Sequence, residues 1–166
     1  MIKLIPYIAT LLALGQVVVA AKAVSSFSEW VDGLLEKPEG DNMTPEEVIN
    51  AFQSGQFTAK FSSRSLIQKR AACYEQPNTD CLVVDAVACV DAVARRGAND
   101  CRNVYQQCAI NTAVLTTDGR TDSSCNDVAR GGGAILDSCV RAGRDRVEGS
   151  EVAYENGNEL VRLRRP

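Results

Sequence analysis

The apolar positions of the chain change period four times, and each change marks a different element. Leu4 to Ala20, in MIKLIPYIATLLALGQVVVA, is a nearly continuous apolar run that follows Lys3 and ends in small residues. This is the layout of a secretory signal peptide, with cleavage after Ala20 or Ala23. Pro6 and Gln16 interrupt the run and only Lys22 flanks it, so a membrane anchor is disfavoured and no stable membrane insertion is expected. Phe27, Trp30, Val31, Leu34 and Leu35 then recur at helical spacing until Pro38-Glu39-Gly40 stops them. A second short helix is signalled by Thr44 as N-cap, Pro45 at its first position, and Glu46 and Glu47 in its first turn. Each helix has only a narrow apolar face, and the pair predicts a weak core of its own.

Beyond a Ser-rich stretch ending at Lys69-Arg70 the pattern becomes stronger. In DCLVVDAVACVDAVARRG, Leu82, Ala86, Cys89, Val90 and Val93 share a stripe; Asp80 is the predicted N-cap and Gly97 lies just past the end. In DSSCNDVARGGGAILDSCVRAG, Asp122 to Gly143, the stripe Cys125, Val128, Ala129, Gly132, Ile135, Leu136, Cys139 and Val140 runs through four turns and turns both cysteines toward the core. CAINTAVLTTDG, Cys108 to Gly119, is rich in β-branched residues and predicts one strand entering a turn at Asp118-Gly119. The tail VEGSEVAYENGNELVRLRRP predicts a hairpin turning at Asn156-Gly157. That turn pairs Val152 with Val161, Tyr154 with Glu159 and Ser150 with Leu163 on an apolar face, and sets Glu151 opposite Arg162 and Ala153 opposite Leu160 on the other. With a further strand near Cys73, the order predicts an α+β fold: a small disulfide-stabilised sandwich with two helices packed on an antiparallel sheet.

Composition adds the compartment and the means of bracing. Cys73, Cys81, Cys89, Cys101, Cys108, Cys125 and Cys139 all follow Arg70, and the chain contains no histidine and no C-x-x-C. A redox motif and a Cys/His zinc site therefore lack their usual residues, and no metal or other cofactor is expected. In a secreted chain such thiols pair, giving three bridges and one thiol left over, which is either buried or open to an intermolecular bond. A processing site at Lys69 and Arg70, exposed by the Ser-rich stretch before it, divides the chain into a signal peptide (1–20), a pro-region (21–70) and a cysteine-rich domain (71–166). The only N-x-S/T sequon, at Asn42, falls in the pro-region.

The segment SSFSEWVDGLLEKPEGDNMTPEEVINAF, followed by a Ser-rich stretch and Lys-Arg, resembles the pro-region of small cysteine-rich secreted proteins of filamentous fungi. That resemblance implies maturation by a kexin-type protease, a product beginning at Ala71 and an extracellular destination. Among such proteins, the order helix, strand, helix, hairpin is similar to the smut-fungus killer-toxin-like fold, although an odd seventh cysteine departs from a fully paired pattern.

Function is then narrowed by elimination. Without histidine the common general base and the Ser-His and Cys-His nucleophile arrangements are missing. The carboxylates Asp85 and Asp91, on the expected polar side of the first long helix, and Asp118 and Asp122, beside a turn, read as solvated helix and turn residues. Gly131-Gly132-Gly133 lacks the lysine of a phosphate loop; instead Gly132, on the buried stripe, would let a sheet approach closely. From Ala71 onward eleven arginines face fourteen acidic residues, a net acidic balance that argues against nucleic acid and anionic lipid as partners. What remains is a non-enzymatic, bridge-stabilised binding module for an extracellular or host protein; the resemblance to fungal secreted proteins implies an effector-like role, with a killer-toxin-like antimicrobial role as the alternative. Its expected surfaces are Arg141, Arg144 and Arg146 after the long helix, Arg162 and Arg164 in the tail, the Asn156-Gly157 turn, and the loop from Thr116 to Ser124.

Overall fold

A computed structural model describes residues 23–57, 71–74, 76–98, 101, 105–119, 123–141, 143–154 and 156–166. The apolar run before Ala20, the Lys69-Arg70 pair and Asp122 lie outside the described residues. The fold is α+β, with four helices and an antiparallel sheet. In chain order the elements are α1 (Phe27–Glu36), α2 (Pro45–Gln53), β1 (Ala72–Cys73), β2 (Cys81–Leu82), α3 (Val83–Ala94), β3 (Gln106–Ile110), β4 (Ala113–Gly119), α4 (Cys125–Cys139), β5 (Arg146–Val147), β6 (Gly149–Ala153) and β7 (Asn156–Arg164). Five strands form one sheet in the order β1-β6-β7-β4-β3, and β2 pairs with β5 separately. α3 and α4 lie on one face of the large sheet, and α1 and α2 pack on the far side of those helices.

The N-terminal helices start and stop where their capping residues dictate. Ser26 accepts from the Glu29 amide to open α1, and Thr44 and Glu47 form a reciprocal capping box at α2. Their apolar faces do more than make a weak core of their own: Phe27, Trp30, Val31, Leu34 and Val48 are fully buried and continuous with the core of the cysteine-rich domain. The indole of Trp30 donates to the Met43 carbonyl at 2.8 Å, satisfying its one polar atom. Phe27, Phe52 and Phe57 close the end of this layer with ring centroids 4.9–5.8 Å apart.

The Gly131-Gly132-Gly133 run explains how α4 can serve three neighbours. A methyl carbon on Gly131 would lie 3.0 Å from Val161 on β7, and one on Gly132 would lie 2.7 Å from Val90 on α3. On Gly133 it would lie 3.2 Å from Val31 and 3.3 Å from the Ser28 backbone of α1. The close sheet approach expected at Gly132 falls mainly at Gly131, because successive helical residues point 100° apart and Gly132 faces the neighbouring helix.

Four sequence expectations are corrected. Asp80 does not cap α3, because Cys81 and Leu82 pair with Val147 and Arg146 as β2 and delay the helix to Val83, whose amide donates to the Asp145 carbonyl at 2.8 Å. The single strand predicted over 108–119 is a hairpin. Asn111 takes a left-handed conformation (φ 45°) and the chain reverses there, a role asparagine tolerates better than most residues. Asp118 and Gly119 lie within β4, opposite Leu160 and Glu159, so residues 116–119 are strand where a loop was expected. The tail hairpin is shifted by one residue: Ser150 faces Arg162, Glu151 faces Val161 and Val152 faces Leu160, with a bulge before Ala153, and the chain turns ahead of Asn156. This register places Val161 and Leu163, both fully buried, against the helices beside Leu115, and a one-residue slip would turn them outward. Tyr154 is held elsewhere, its amide donating to Asp127 O at 3.2 Å and its ring 5.2 Å from the Arg130 guanidinium.

Three bridges tie these layers together. Cys73–Cys139 links β1 to the end of α4, Cys89–Cys108 links α3 to β3, and Cys101–Cys125 holds the segment after α3 to the start of α4. The seventh cysteine, Cys81, is free and buried, and its thiol donates to Val147 O at 3.3 Å. Burial, opposed in part by a backbone hydrogen bond, pushes this thiol up to about 12, with Asp85, Asp80 and Glu148 adding repulsion.

Candidate functional site: the outer face of the sheet and the Tyr74–Asp80 loop

Alternation along β4 and β7 sends Leu115, Val161 and Leu163 toward α3 and α4, leaving Val114, Thr116, Leu160, Arg162 and Arg164 on the opposite face. Among the described residues no helix covers that face. Arg164 lies opposite Val114 and Arg162 opposite Thr116. Val114 and Thr116 are only 5% and 2% exposed, as expected when arginine stems lie over their neighbours. Arg162 approaches Asp118 at 3.6 Å, and Arg164 donates to the Tyr105 hydroxyl at 3.4 Å. The Arg164 Nε and Thr116 Oγ1 atoms are buried with no hydrogen-bond partner.

The loop after β1 borders this face. Asn78 adopts a left-handed conformation (φ 67°), and Thr79 donates from its hydroxyl to the Glu148 carboxylate at 2.6 Å. The amide of Arg165 reaches Thr79 O at 2.7 Å, pinning the end of β7 to the same loop. Tyr74, 43% exposed, leans toward β6 with its hydroxyl 3.0 Å from Ser150 Oγ. A recess of about 240 Å³ opens between Tyr74, Gln76, Glu148, Gly149, Arg162 and Arg164. A second, of about 420 Å³, lies beside it around the Cys73–Cys139 bridge and is lined by Arg141, Arg144 and Arg146.

The two arginine groups singled out in the sequence therefore line adjoining recesses that share Tyr74, Gln76 and Glu148. Arg146 is engaged with Asp80 at 3.4 Å. Tyr74, Tyr105, Gln76 and Glu148 were not anticipated; the only local signal was a tyrosine set between a cysteine and the turn-forming Gln76-Pro77-Asn78. Asn42 lies apart from this surface, its amide donating to Lys37 O at 2.6 Å in the α1–α2 connection.

The candidate carboxylates are otherwise employed. Asp85 is buried instead of solvated, and it accepts from Asn111 Nδ2 and from the backbone and hydroxyl of Thr112 at 2.6–3.0 Å. Burial alone would raise this carboxyl, but the bonds from Thr112 and Asn111 outweigh it and hold the group below its ordinary range. Asp85 thus fastens α3 to the β3–β4 turn. Asp91 pairs with Arg95 at 2.8 Å along the helix.

Residues 68–165 match the family model of the DUF8794 domain, described as a domain of unknown function, and the chain belongs to that family. The match omits α1 and α2. No curated protein and no solved structure matches the chain. Among the described residues, no helix is long and apolar enough to cross a membrane.

Proposed function

We propose that this protein is a secreted binding module, effector-like in the sense of the fungal proteins its precursor resembles, that engages an extracellular or host protein through the uncovered sheet face. The supporting observation is the recess bounded by Tyr74, Arg162 and Arg164 on a face that no described helix packs against. Two guanidinium groups beside an exposed aromatic ring suit a carboxylate on a flexible or extended acidic segment, since arginine and tyrosine supply most binding energy where they are fixed in place. The scaffold is braced by the three bridges, so the face needs little reorganisation on binding. Action by binding rather than catalysis accords with Asp85 and Asp91 being committed to structural partners. Cleavage by a kexin-type protease at Lys69-Arg70 would deliver the family domain less the first three residues of its match.

The test is to apply purified oxidised protein to plant tissue and to fungal and bacterial cultures, alongside Tyr74→Ala and a double variant Arg162→Glu/Arg164→Glu. Both variants should fold with intact bridges and lose the response, whether host reaction or growth arrest. A host reaction supports the effector role and growth arrest the toxin role. Full activity in both variants would remove the sheet face from the account.

A further inference from the structure

The family domain carries a second prepared surface, on the side of α3 and α4 away from the sheet. We propose that this surface is a helix-binding site whose occupant is the chain's own α1–α2 unit, and that the unit stays seated as a separate chain once the connection through residues 58–70 is cut. Four independent features on the two sides match. Gly133 lets α1 lie close on α4: a methyl carbon there would press on Val31 at 3.2 Å and on the Ser28 backbone at 3.3 Å, tighter than ordinary contact, and a larger side chain would hold α1 off. Asp137 of α4 accepts from the amides of Phe27 and Ser28 at 2.7 and 3.0 Å, placing a carboxylate at the positive end of a helix that lies outside the family match. Arg130 of α4 meets Asp32 of α1 at 3.0 Å, fixing the register from the other end of the contact. Phe27, Trp30, Val31 and Leu34, at the i, i+3, i+4, i+7 spacing of a helix lying in a groove, are all at most 2% exposed.

A segment that served only to reach a protease would need none of this complementarity. Cutting the connection lowers the effective concentration of the two parts for each other but removes no described contact. The proposal is independent of what the sheet face binds, because the two surfaces lie on opposite sides of the α3–α4 layer.

The test uses the full oxidised chain, folded first, with a recognition site for a sequence-specific protease placed within residues 58–70. After complete cleavage, size-exclusion chromatography and native mass spectrometry over a dilution series read the dissociation of the two fragments. The expected result is co-migration as a one-to-one complex. Trp30→Ala should weaken it by about a hundredfold or more, and Gly133→Leu, on the opposite partner, should release the segment as well. Immediate separation of the unsubstituted fragments, with the larger one still folded and bridged, would overturn the proposal. The sheet-face variants should leave co-migration unchanged, so failure of this inference is distinguishable from failure of the functional reading.

Discussion

Replacing Gly132 by alanine sets two effects of known sign against each other. Helix propensity favours the change by about 1 kcal/mol, because alanine loses less backbone freedom than glycine in a helix interior. Packing opposes it: the added carbon would lie 2.7 Å from Val90 Cγ2 and 3.4 Å from Leu115 Cδ1. Carbon atoms are content near 3.5–4.0 Å, so the first contact requires about 1 Å of movement. Val90 is β-branched and sits within α3, where one rotamer is strongly preferred, so it cannot simply turn away. Relief must come from separating α3 and α4, and overpacking of this kind costs about 1–3 kcal/mol. Net destabilisation of up to about 2 kcal/mol follows once the propensity gain is subtracted. Urea unfolding of the oxidised protein, followed by near-ultraviolet circular dichroism, reads it as a lower midpoint at unchanged slope. Gly133→Ala is the comparison, since its nearest contact is 3.2 Å and belongs to α1 alone. It should loosen α1 while sparing the α3–α4 contact. A higher midpoint for Gly132→Ala, by the full amount that propensity offers, would refute the assignment of Gly132 to the α3 contact.

Three further outcomes follow from the same contacts. Asp85 is held below its ordinary range, so its contribution is present above the unfolded carboxyl value and is lost as pH falls through the lower folded one. Asp85→Asn should therefore flatten the acid side of the stability profile below about pH 4, and an unchanged acid limb would contradict the bonding described at the β3–β4 turn. Cys81, with its thiol pushed up to about 12, should resist alkylation in the native protein at pH 8 and react fully in denaturant; rapid native labelling at that position would contradict its burial. Removing Cys73–Cys139 as a serine pair should cost the most of the three bridges. Its 66-residue separation corresponds to about 4 kcal/mol of loop entropy, against about 3 kcal/mol for the 19-residue Cys89–Cys108 link; an equal or reversed ranking in urea would show that residual structure or strain dominates.

The helices were legible because their caps and stripes are local. The Thr44 cap, Pro45 at the start of α2 and the apolar periods of α1, α3 and α4 all describe interactions within a few residues, whereas the serine caps of α1 and α4 were not anticipated. The sheet was less legible. The tail's register depends on which residues meet Leu115 and α4, and that demand overrode the strong local turn signal of Asn156-Gly157. Cys81 and Leu82 pair with a strand more than sixty residues away, which no local cue at Asp80 could announce. For the candidate site, arginine content was readable while its division between two recesses was not, because the loop residues Tyr74 and Gln76 that the recesses share lie in a segment placed by contacts of Thr79 with Glu148, between β5 and β6, and with Arg165, just past β7. The largest surprise is α1 and α2: their narrow stripes suggested a self-contained pair, but the partner that completes them lies on α4, where Asp137 and Gly133 gave no sign of it in sequence.

Sheet, helices and the uncovered sheet face are held in one arrangement by a specific set of sulfur links. Peptide mapping of the non-reduced protein under acidic digestion, with free thiols blocked beforehand in denaturant, tests that arrangement most directly. The expected linked peptides join Cys73 to Cys139, Cys89 to Cys108 and Cys101 to Cys125, with the blocking group found only on Cys81. A bridge that includes Cys81, or an exchange of partners among the other six, would contradict the fold and the placement of every surface argued from it.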